Sequence, residues 1–353
     1  MRQQGASGFV LVLVLAMLVI LSLLAGGVGL MTSRLRDQAL ERQRQLTDRV
    51  DMESTKATLY YLLSTQPMTI GGLTVDGRIT GARAAAEAAG VEFDYSAAPI
   101  GNEVALDSSP YRGLGEIRFA LQDDRGLFGV KLQSPDALDR LISAYSGSSK
   151  VPASVLIDRL MDYQDEDDLY RLNSMEKDGY ASRGLPPPSN RPLTTPMELL
   201  RIPGWGDALA GVSTKHINLT LTAAFTGAPN VNTAPVEVLR TIVGVDAERA
   251  GRTVARRKLQ PFMTDAEFYE FLGLPMSFDS AINLYPSLSG TMMLWASRGG
   301  QVRLVHWTLT PAENGGQPWR EDYELIYSQD SELGNAAPSV RSRLFAKPVA
   351  APR

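Results

Sequence analysis

The feature of this sequence that most constrains its fold is a run of 23 uncharged residues, 9–31, rich in Leu and Val. At about 1.5 Å of rise per residue, a helix of this length crosses a hydrocarbon core of roughly 30 Å. Residues 32–64 contain neither Pro nor Gly, so the helix is predicted to continue beyond the apolar run. The sequence therefore predicts one long N-terminal helix, 9–65, whose part 9–31 spans a membrane.

A short leader, residues 1–8, precedes the apolar run; it carries Arg2 and ends in Gly8. The order of basic leader, Gly8 and then Phe9 at the start of an apolar helix resembles the cleavage site of prepilin peptidases. Cleavage between Gly8 and Phe9 would leave the hydrophobic helix on the mature protein. Two alternatives stay open, namely a secretory signal peptide cleaved before Val28 and a plain uncleaved anchor.

Charge counting predicts the opposite orientation from the processing motif. Five arginines follow the apolar run, whereas Arg2 and the amino terminus precede it. Positive-inside counting would place the large domain in the cytoplasm, although large domains translocate largely regardless of such charges. The five are Arg34, Arg36, Arg42, Arg44 and Arg49. A periplasmic globular part is therefore inferred from the processing motif and not from charge.

Small or apolar residues recur along the second part of the helix at alternating spacings of four and seven. They are Leu35, Ala39, Leu46, Val50, Ala57 and Tyr61. This eleven-residue repeat, at about 3.67 residues per turn, places all six on one stripe. Such a stripe more often packs on the protein's own domain than on a partner. The resemblance to pilin-like proteins implies that its C-terminal half packs on the domain and its N-terminal half on partner helices.

The rest of the chain changes from strand-like to helical patterns and back. Strands are predicted at residues 73–79 and 116–121, before a turn at 123–126, and at 291–298, 301–310 and 320–328. Helices are predicted at residues 135–146, 152–163, 195–201, 235–243, 247–258 and 264–272. Strands on both sides of a helical block predict an α+β fold, in which one sheet is interrupted by an insertion. Two sequential domains are the alternative, and the polar tail after residue 330 is expected to be mobile.

The densest group of carboxylates lies at the end of the predicted helix 152–163. It comprises Asp158, Asp162, Asp165, Asp167 and Asp168. The first three follow i, i+4, i+7 spacing and can share one helix face, and calcium takes six to eight oxygen ligands. The spacing of an EF-hand is absent. A calcium site and a solvated acidic helix end are therefore the two interpretations of this run.

Composition excludes several classes of function. The absence of cysteine excludes disulfides and thiolate zinc sites, and only His216 and His306 are available for a histidine metal centre. A net charge of −4 argues against general nucleic-acid binding. No nucleophile motif, phosphate loop or histidine dyad is present, so an enzyme is not expected.

Residues 230–262 resemble a helix-hairpin-helix unit, which can bind the DNA backbone through hairpin glycines. The hairpin at 243–246 has a single glycine, Gly244, and places Asp246 where a phosphate would approach. Basic residues do follow it, namely Arg249, Arg252, Arg256, Arg257 and Lys258. A degenerate structural module is the preferred interpretation, and a membrane-anchored DNA-binding protein is the alternative function.

Five segments taken in order resemble the minor pseudopilin K family of type II secretion systems, the general secretion pathway protein K group. They are Gly8-Phe9 with apolar Leu13, the acidic run from Leu156, residues 190–193 (Asn-Arg-Pro-Leu), residues 198–204 and residues 231–235 (Val-Asn-Thr-Ala-Pro). Two features depart from the family pattern. The turn at 123–126 does not lead into an Asn-Leu-Asn-like strand, and the acidic run has Leu160 and Met161 where a tryptophan is frequent.

The resemblance implies a fold and an order of domains. A long N-terminal transmembrane helix would pack on a pseudopilin antiparallel sheet carrying a large all-α insertion domain, with calcium in the globular part. The expected order is leader 1–8, N-terminal helix 9–65, first sheet part 66–130, helical insertion 131–285, second sheet part 286–330 and mobile tail 331–353.

The resemblance also implies a role in assembly without catalysis. Position five of the processed helix is Leu13, where other pilin-like subunits carry a glutamate, and this favours a place at the filament tip. There the protein would nucleate the pseudopilus and support export of folded proteins across the outer membrane. Expected partners are minor pseudopilins of the I and J types, the major pseudopilin, prepilin peptidase, secreted substrates and the inner membrane, but no nucleic acid.

Overall fold

The computed structural model describes residues 7–75, 99–132, 134–146, 151–276, 281–311, 316–329, 337–340 and 342–345. The chain divides into two compact units, Met1–Asp51 and Met52–Arg353. Residues 1–6 of the predicted leader and residues 76–79 of the first predicted strand lie outside the described residues.

The first unit consists of helix. Helix α1 runs over Ser7–Thr65, and its residues up to Asp51 form this unit. Every described side chain from residue 10 to residue 31 is exposed. Within the described part of the chain, α1 is the one helix long and apolar enough to cross a membrane. The predicted N-terminal apolar helix is therefore confirmed, and its uncovered surface is of the kind that lipid or other apolar helices stabilise.

In the second unit, the last turns of α1 pack on a sheet. Leu59, Leu62 and Leu63 are buried there, and the Tyr60 ring stacks on Trp319 with centroids 5.0 Å apart. The expectation that Ala57 and Tyr61 would make this contact is wrong, because both are exposed. Residues at 3.6-residue spacing, 55, 59 and 62, face the sheet, whereas the eleven-residue stripe runs along about the opposite face.

The sheet has five antiparallel strands in the order β3-β4-β7-β8-β9. Their bounds are β3 Asp107–Arg112, β4 Ile117–Asp123, β7 Ser289–Ala296, β8 Gln301–Leu309 and β9 Trp319–Ser328, after a short hairpin of β1 Met68–Thr69 and β2 Gly72–Leu73. Strands β4 and β7 pair along their length, from Ile117 with Ala296 to Asp123 with Gly290. These two strands lie on opposite sides of the helical block in the sequence. Strands from both sides of the helical block therefore belong to one sheet, as expected for a sheet interrupted by an insertion and not for two sequential domains.

The block between β4 and β7 holds eight α-helices within the described ranges. They are α2 Pro135–Ser146, α3 Ala153–Gln164, α4 Lys177–Ala181, α5 Trp205–Ala208, α6 Thr214–Thr220, α7 Val236–Leu239, α8 Ala247–Arg257 and α9 Asp265–Leu272. Two short strands, β5 Phe128–Gly129 and β6 Leu221–Thr222, pair in parallel beside them. One apolar core, which includes Leu156, Trp205 and Phe262, unites the block. The expected combination of helix, antiparallel sheet and helical insertion is confirmed.

Two parts of the tail contact the sheet, although the tail was expected to be mobile. The Arg112 backbone N–H donates to the Pro338 carbonyl at 3.0 Å, and Ala337 is buried. The Phe345 ring stacks on Phe119 with centroids 5.4 Å apart. Scattered apolar residues in this polar segment therefore bind it to the edge strand β3 and to the sheet face.

Candidate functional site

Three of the predicted metal ligands lie along the C-terminal half of α3. The helix buries Leu156 and Leu160 in the helical core, and this orientation carries Asp162 inward to 0% exposure. Asp158 lies one turn earlier and is half-buried. Asp165 ends the helix, where its N–H donates to the carbonyl of Met161 at 3.1 Å. The predicted spacing thus places these three carboxylates on one side of the helix end.

The segment that follows, residues 166–174, folds back onto these carboxylates and is called the acidic loop. The Arg171 guanidinium donates from Nη1 to Asp162 Oδ1 and, at 2.5 Å, to Asp165 Oδ2. Its backbone N–H lies 3.4 Å from Asp162 Oδ2. Asn173 Nδ2 donates to Asp158 Oδ2 at 3.1 Å. Each carboxylate of the α3 end therefore has a partner in the acidic loop.

A fourth carboxylate, Glu176, joins this group and is the residue that the sequence interpretation missed. Its side chain is 1% exposed, and neither buried oxygen receives an N–H donor from the described part of the chain. Burial, then the negative charge of Asp162 and a hydrogen bond shared with its carboxyl group, and then the charges of Asp165 and Asp168, raise the pKa of Glu176 to about 7. Asp158, Asp162, Asp165 and Glu176 are together called the acidic cluster.

The donor set of the acidic cluster suits a hard cation, which binds to several carboxylate oxygens. Within the described ranges, however, no group of three or more acidic or histidine side chains is arranged to hold a metal ion. The positive charge that contacts the acidic cluster is that of the Arg171 guanidinium, which pairs with Asp162 and Asp165. Asp167 is exposed and caps its own turn, where its Oδ1 accepts from the Leu169 N–H at 2.8 Å, and Asp168 is exposed too. Calcium at these residues remains a prediction.

The Asn-Arg-Pro-Leu segment fixes the end of α3 that carries the cluster. The Leu193 N–H donates to Gln164 Oε1 at 3.1 Å, just beyond Asp162 on the helix. Arg191 Nη2 donates to Glu198 Oε2 at 3.0 Å, and Glu198 Oε1 accepts from the Thr194 N–H at 2.8 Å. These residues therefore serve to position the helix end.

A second buried polar group joins the sheet to the helical block. Asp123, at the end of β4, accepts from Asn230 Nδ2 and Thr233 Oγ1, each at 3.0 Å, and from the Ser287 N–H at 2.7 Å. A Cβ at Gly126 would lie 2.4 Å from Thr233 Oγ1, so glycine permits this close approach. Burial raises the pKa of Asp123 to about 6, against the hydrogen bonds that lower it. Asn230 and Thr233 belong to the Val-Asn-Thr-Ala-Pro region, whose role is thus structural.

His306 extends this group across the sheet. Its Nε2 lies 2.9 Å from Asp124 Oδ2, and its Nδ1 lies 2.8 Å from Asp322 Oδ2. Burial alone would lower the pKa of His306, but the two carboxylates outweigh burial and raise it to about 9. Both ring nitrogens are bound to carboxylates, and the ring stacks on Tyr323 with centroids 4.9 Å apart. The histidine is therefore a charged structural group and not a general base.

The helix-hairpin-helix unit uses most of its basic residues internally. Asp246 caps α8 by accepting from the Arg249 N–H at 2.8 Å, so the position for a phosphate is taken. Arg252 donates to the Phe271 carbonyl at 3.2 Å, and Arg256 Nη2 donates to Glu267 at 2.8 Å. The side chains of Arg249 and Arg257 likewise donate to backbone carbonyls. This geometry favours the structural module over the DNA-binding alternative.

The predicted processing and filament residues lie on α1. The backbone of Gly8 and Phe9 is helical, since α1 begins at Ser7. Leu13 is 50% exposed, with no covering element around it in its own unit. Cleavage between Gly8 and Phe9 remains a prediction.

The part of the chain that contains the acidic cluster matches a known protein family. Residues 120–219 match the family model described as Type II secretion system (T2SS), protein K. No curated protein matches the chain. Among solved structures, the chain is similar to one in the crystal structure of the GspK-GspI-GspJ complex from the enterotoxigenic Escherichia coli type 2 secretion system. That similarity has 13% identity, covers 84% of this chain and 100% of that chain, and has a TM-score of 0.44.

The fold defines the class as an α+β protein with a long N-terminal apolar helix, an antiparallel sheet and a helical block between the strands of that sheet. Within this class, the match over residues 120–219, from β4 to α6, confirms the resemblance to the type II secretion protein K family. The matched segment contains the acidic cluster and the Asn-Arg-Pro-Leu segment.

Proposed function

We propose that this protein is a minor pseudopilin of a type II secretion system, held in the inner membrane by residues 9–31 with its globular part in the periplasm. The observation that carries the proposal is the combination, in one chain, of a protein K match at residues 120–219 with an apolar helix whose side chains are exposed from residue 10 to residue 31. In this role the protein would assemble with other subunits and would not catalyse a reaction.

The exposed surface of α1 supports a place in a helical assembly. Leu35, Leu46 and Val50 are 55%, 61% and 63% exposed, so the predicted stripe is available for partner helices after the membrane segment. Leu13 has no carboxylate to neutralise the amino terminus of another subunit, and a carboxylate without such a partner would be costly in this setting. We therefore assign the protein to the filament tip, where it would nucleate assembly.

The proposed partners are minor pseudopilins of the I and J types, together with the major pseudopilin and prepilin peptidase. The solved chain to which this protein is similar is titled as part of a GspK-GspI-GspJ complex. By extension, the tip would support export of folded proteins across the outer membrane, and its helical block is the part available for contact with secreted substrates.

N-terminal sequencing of the mature protein tests the proposal at its first step. The protein is expressed with and without prepilin peptidase, and the residue at the new amino terminus is read. Phe9 is expected only with the peptidase. A start at Val28 would contradict the proposal in favour of a signal peptide, and Met1 under both conditions would leave a plain anchor. Leu13→Glu is the matched control, because it alters the apolar helix while it leaves the cleavage site between Gly8 and Phe9 intact.

We also propose that the acidic cluster binds calcium in the globular part. Two features support this: the side chains of Asp162 and Glu176 are almost fully buried, and the oxygens of Glu176 lack N–H donors in the described part of the chain. Asp162, Asp165 and Glu176 would hold the ion, with Asp158 beside them. A bound cation would supply the positive charge and the oxygen contacts that these carboxylates require.

Thermal unfolding of the full-length protein in detergent tests the calcium proposal. Calcium in excess over chelator is expected to raise the Tm by about 5 °C or more, since a ligand of the folded state alone stabilises it. The shift should disappear in Asp162→Asn and persist in Asp178→Asn, an exposed carboxylate on α4. An unchanged Tm with calcium would contradict the proposal.

A further inference from the structure

The acidic loop carries its large apolar side chains on the outside. Leu169, Tyr170 and Leu172 are 74%, 60% and 95% exposed, and together they are called the loop tip. Arg171, which lies between two of them, points the other way and forms ion pairs with carboxylates at the end of α3. This arrangement reverses the usual one, in which large apolar side chains are buried and charged ones face water.

Hydrogen bonds within the loop fix the conformation of the tip. Asn173 Nδ2 donates to Asp158 Oδ2 at 3.1 Å, and the Ser174 N–H and Oγ donate to the Arg171 carbonyl at 3.2 and 2.8 Å. The Ser174 bonds close a turn that places Leu172 at its corner. Such corners usually hold Gly, Pro, Asn, Asp or Ser, so the turn itself does not require a leucine there. Because the loop is already ordered, binding a partner would cost it little conformational freedom.

The charges beside the tip indicate what kind of partner can cover it. Glu166, Asp167 and Asp168 directly precede the tip, and all three are exposed. A surface of anionic lipid headgroups would repel these carboxylates, whereas lysines and arginines of a protein would attract them. Tyr170 presents an aromatic ring that ends in a hydroxyl, which suits an apolar groove with a polar rim.

We infer that the loop tip docks into an apolar groove of another protein, and that lysines or arginines border this groove. Leu172 enters the groove from the corner of the turn, and the preceding carboxylates pair with the basic rim. The inference goes beyond the proposed function, because it assigns a particular surface of the helical block to a partner of stated chemistry. It rests on the proposed function only for the cells in which that partner is sought.

Photo-crosslinking of the full-length protein in secreting cells identifies the partner. Leu172→p-benzoylphenylalanine is expected to crosslink a second protein, at a peptide that combines apolar residues with Lys or Arg. Leu259→p-benzoylphenylalanine is the matched control, since Leu259 is 88% exposed in the same block but follows Lys258, and it should not capture that peptide. The inference would be overturned by capture of lipid only, of a second copy of this chain only, of a peptide without basic residues, or of nothing. Equal capture from both positions would overturn it too.

The affinity of the crosslinked protein for the full-length protein in detergent gives the quantitative test. Leu172→Ser is expected to weaken binding about tenfold or more, because an apolar side chain is no longer removed from water. Leu259→Ser should change the affinity by less than about twofold. The Tm of Leu172→Ser should equal that of the wild type, since the side chain is 95% exposed, so weaker binding would not reflect unfolding. Equal affinities of the wild type and Leu172→Ser would overturn the inference.

Salt dependence tests the charge of the groove separately. The double variant Glu166→Gln/Asp168→Asn should bind more weakly than the wild type at low salt and should lose less affinity as salt is added. Asp167 is left in place because its Oδ1 accepts from the Leu169 N–H at 2.8 Å. A wild-type affinity that did not change with salt would contradict a basic rim and overturn the inference. If docking failed while the mature protein began at Phe9, the proposed function would stand without this surface.

Discussion

Asp123 and Asp124 are adjacent at the end of β4 and bind different halves of the globular unit. Asp123 accepts hydrogen bonds from Asn230 and Thr233 of the helical block, whereas Asp124 accepts from His306 and, at 2.6 Å, from Ser289 in the sheet. Both carboxylates are completely or almost completely buried. A buried carboxylate is stable only when donors or cations surround it, so these bonds are required for the two parts to remain together.

The first prediction concerns the pH dependence that His306 confers. Its pKa is raised from 6.5 to about 9 in the folded protein, so its stabilising contribution is complete below pH 6.5 and is lost as the pH rises through 9. The free energy of unfolding should therefore fall by up to about 3 kcal/mol between pH 6.5 and 9, at about 1.36 kcal/mol per pH unit. Urea unfolding of the full-length protein in detergent at several pH values measures this.

The two histidines provide the comparison for this prediction. His306→Gln should be less stable than the wild type near neutral pH and should lose most of the slope between pH 6.5 and 9. His216→Gln removes the other imidazole, which is 41% exposed and lies 3.6 Å from Glu237, and should leave the slope intact. An unchanged slope in His306→Gln would show that His306 is not the titrating group.

The sequence indicated the local conformation around single residues, but it did not indicate which distant residues they contact. The sequence predicts a turn at 123–126, and a 3-10 turn of Asp124–Gly126 is present. The partners of that turn lie more than a hundred residues away, at Asn230 and His306, and no local pattern indicates them. Glu176 was missed for the same reason, since it reaches the acidic cluster only after the acidic loop folds back.

At the scale of elements, α1 has two distinct faces in the second unit. Leu62 is 1% exposed and packs in the core under the sheet, whereas its neighbour Tyr61 is 54% exposed. The buried face contributes to the stability of the globular unit, and the exposed face is the one available for the proposed assembly. Substitutions at two residues adjacent in sequence can thus separate folding from that assembly.

The second prediction uses this pair of neighbouring residues. Leu62→Ala should destabilise the globular unit by about 2–5 kcal/mol, because it removes buried methyl groups and leaves a cavity. Tyr61→Ala should change the free energy of unfolding by less than about 0.5 kcal/mol. Urea unfolding followed by tryptophan fluorescence measures both variants.

Assembly gives the complementary measurement for the same variants. Tyr61→Ala should reduce co-purification with the proposed I-type and J-type partners while it leaves the fold intact. If Tyr61→Ala unfolded as easily as Leu62→Ala, the division of α1 into a folding face and an assembly face would be contradicted. Ala57→Ser, a small polar change on the same exposed face, controls for a general effect of substitutions there.

Periodicity predicted the long elements well and the irregular ones poorly. The three strands β7, β8 and β9 and the helices α2, α3, α8 and α9 all lie within a few residues of their predicted positions. Strand β3 was missed because Asp107–Arg112 contains Ser108 at a φ of 64° and Pro110, residues that usually indicate a loop. The helix predicted at 235–243 forms only over Val236–Leu239, since the chain then turns to bury Ile242 and Val245.

At the scale of the whole globular unit, the ends of the helical block meet in the sheet. Asp123 pairs with Gly290 at the end of the β4–β7 ladder, and a Cβ at Gly290 would lie 2.2 Å from the Gln122 carbonyl oxygen. Antiparallel neighbours of this kind are commonly joined by a two-residue turn. The sequence order of strands, helices and strands indicated an insertion, but only the pairing of β4 with β7 identifies the two residues at which the block enters and leaves.

The third prediction follows from that geometry. A chain in which Asn-Gly replaces residues 124–289 should keep the β4–β7 pairing, because a type I′ turn joins antiparallel strands in this register. It should retain a far-ultraviolet β signature and a cooperative melt, at a lower Tm since Asp124 and the helical contacts are lost. The same replacement extended three residues further into β7, through Met292, would pair Asp123 with Met293; this odd shift of register exposes the sheet's buried face, so that chain should aggregate. If both chains behaved alike, the sheet would depend on the helical block for its fold, and the block would be an integral part of one cooperative unit rather than an insertion.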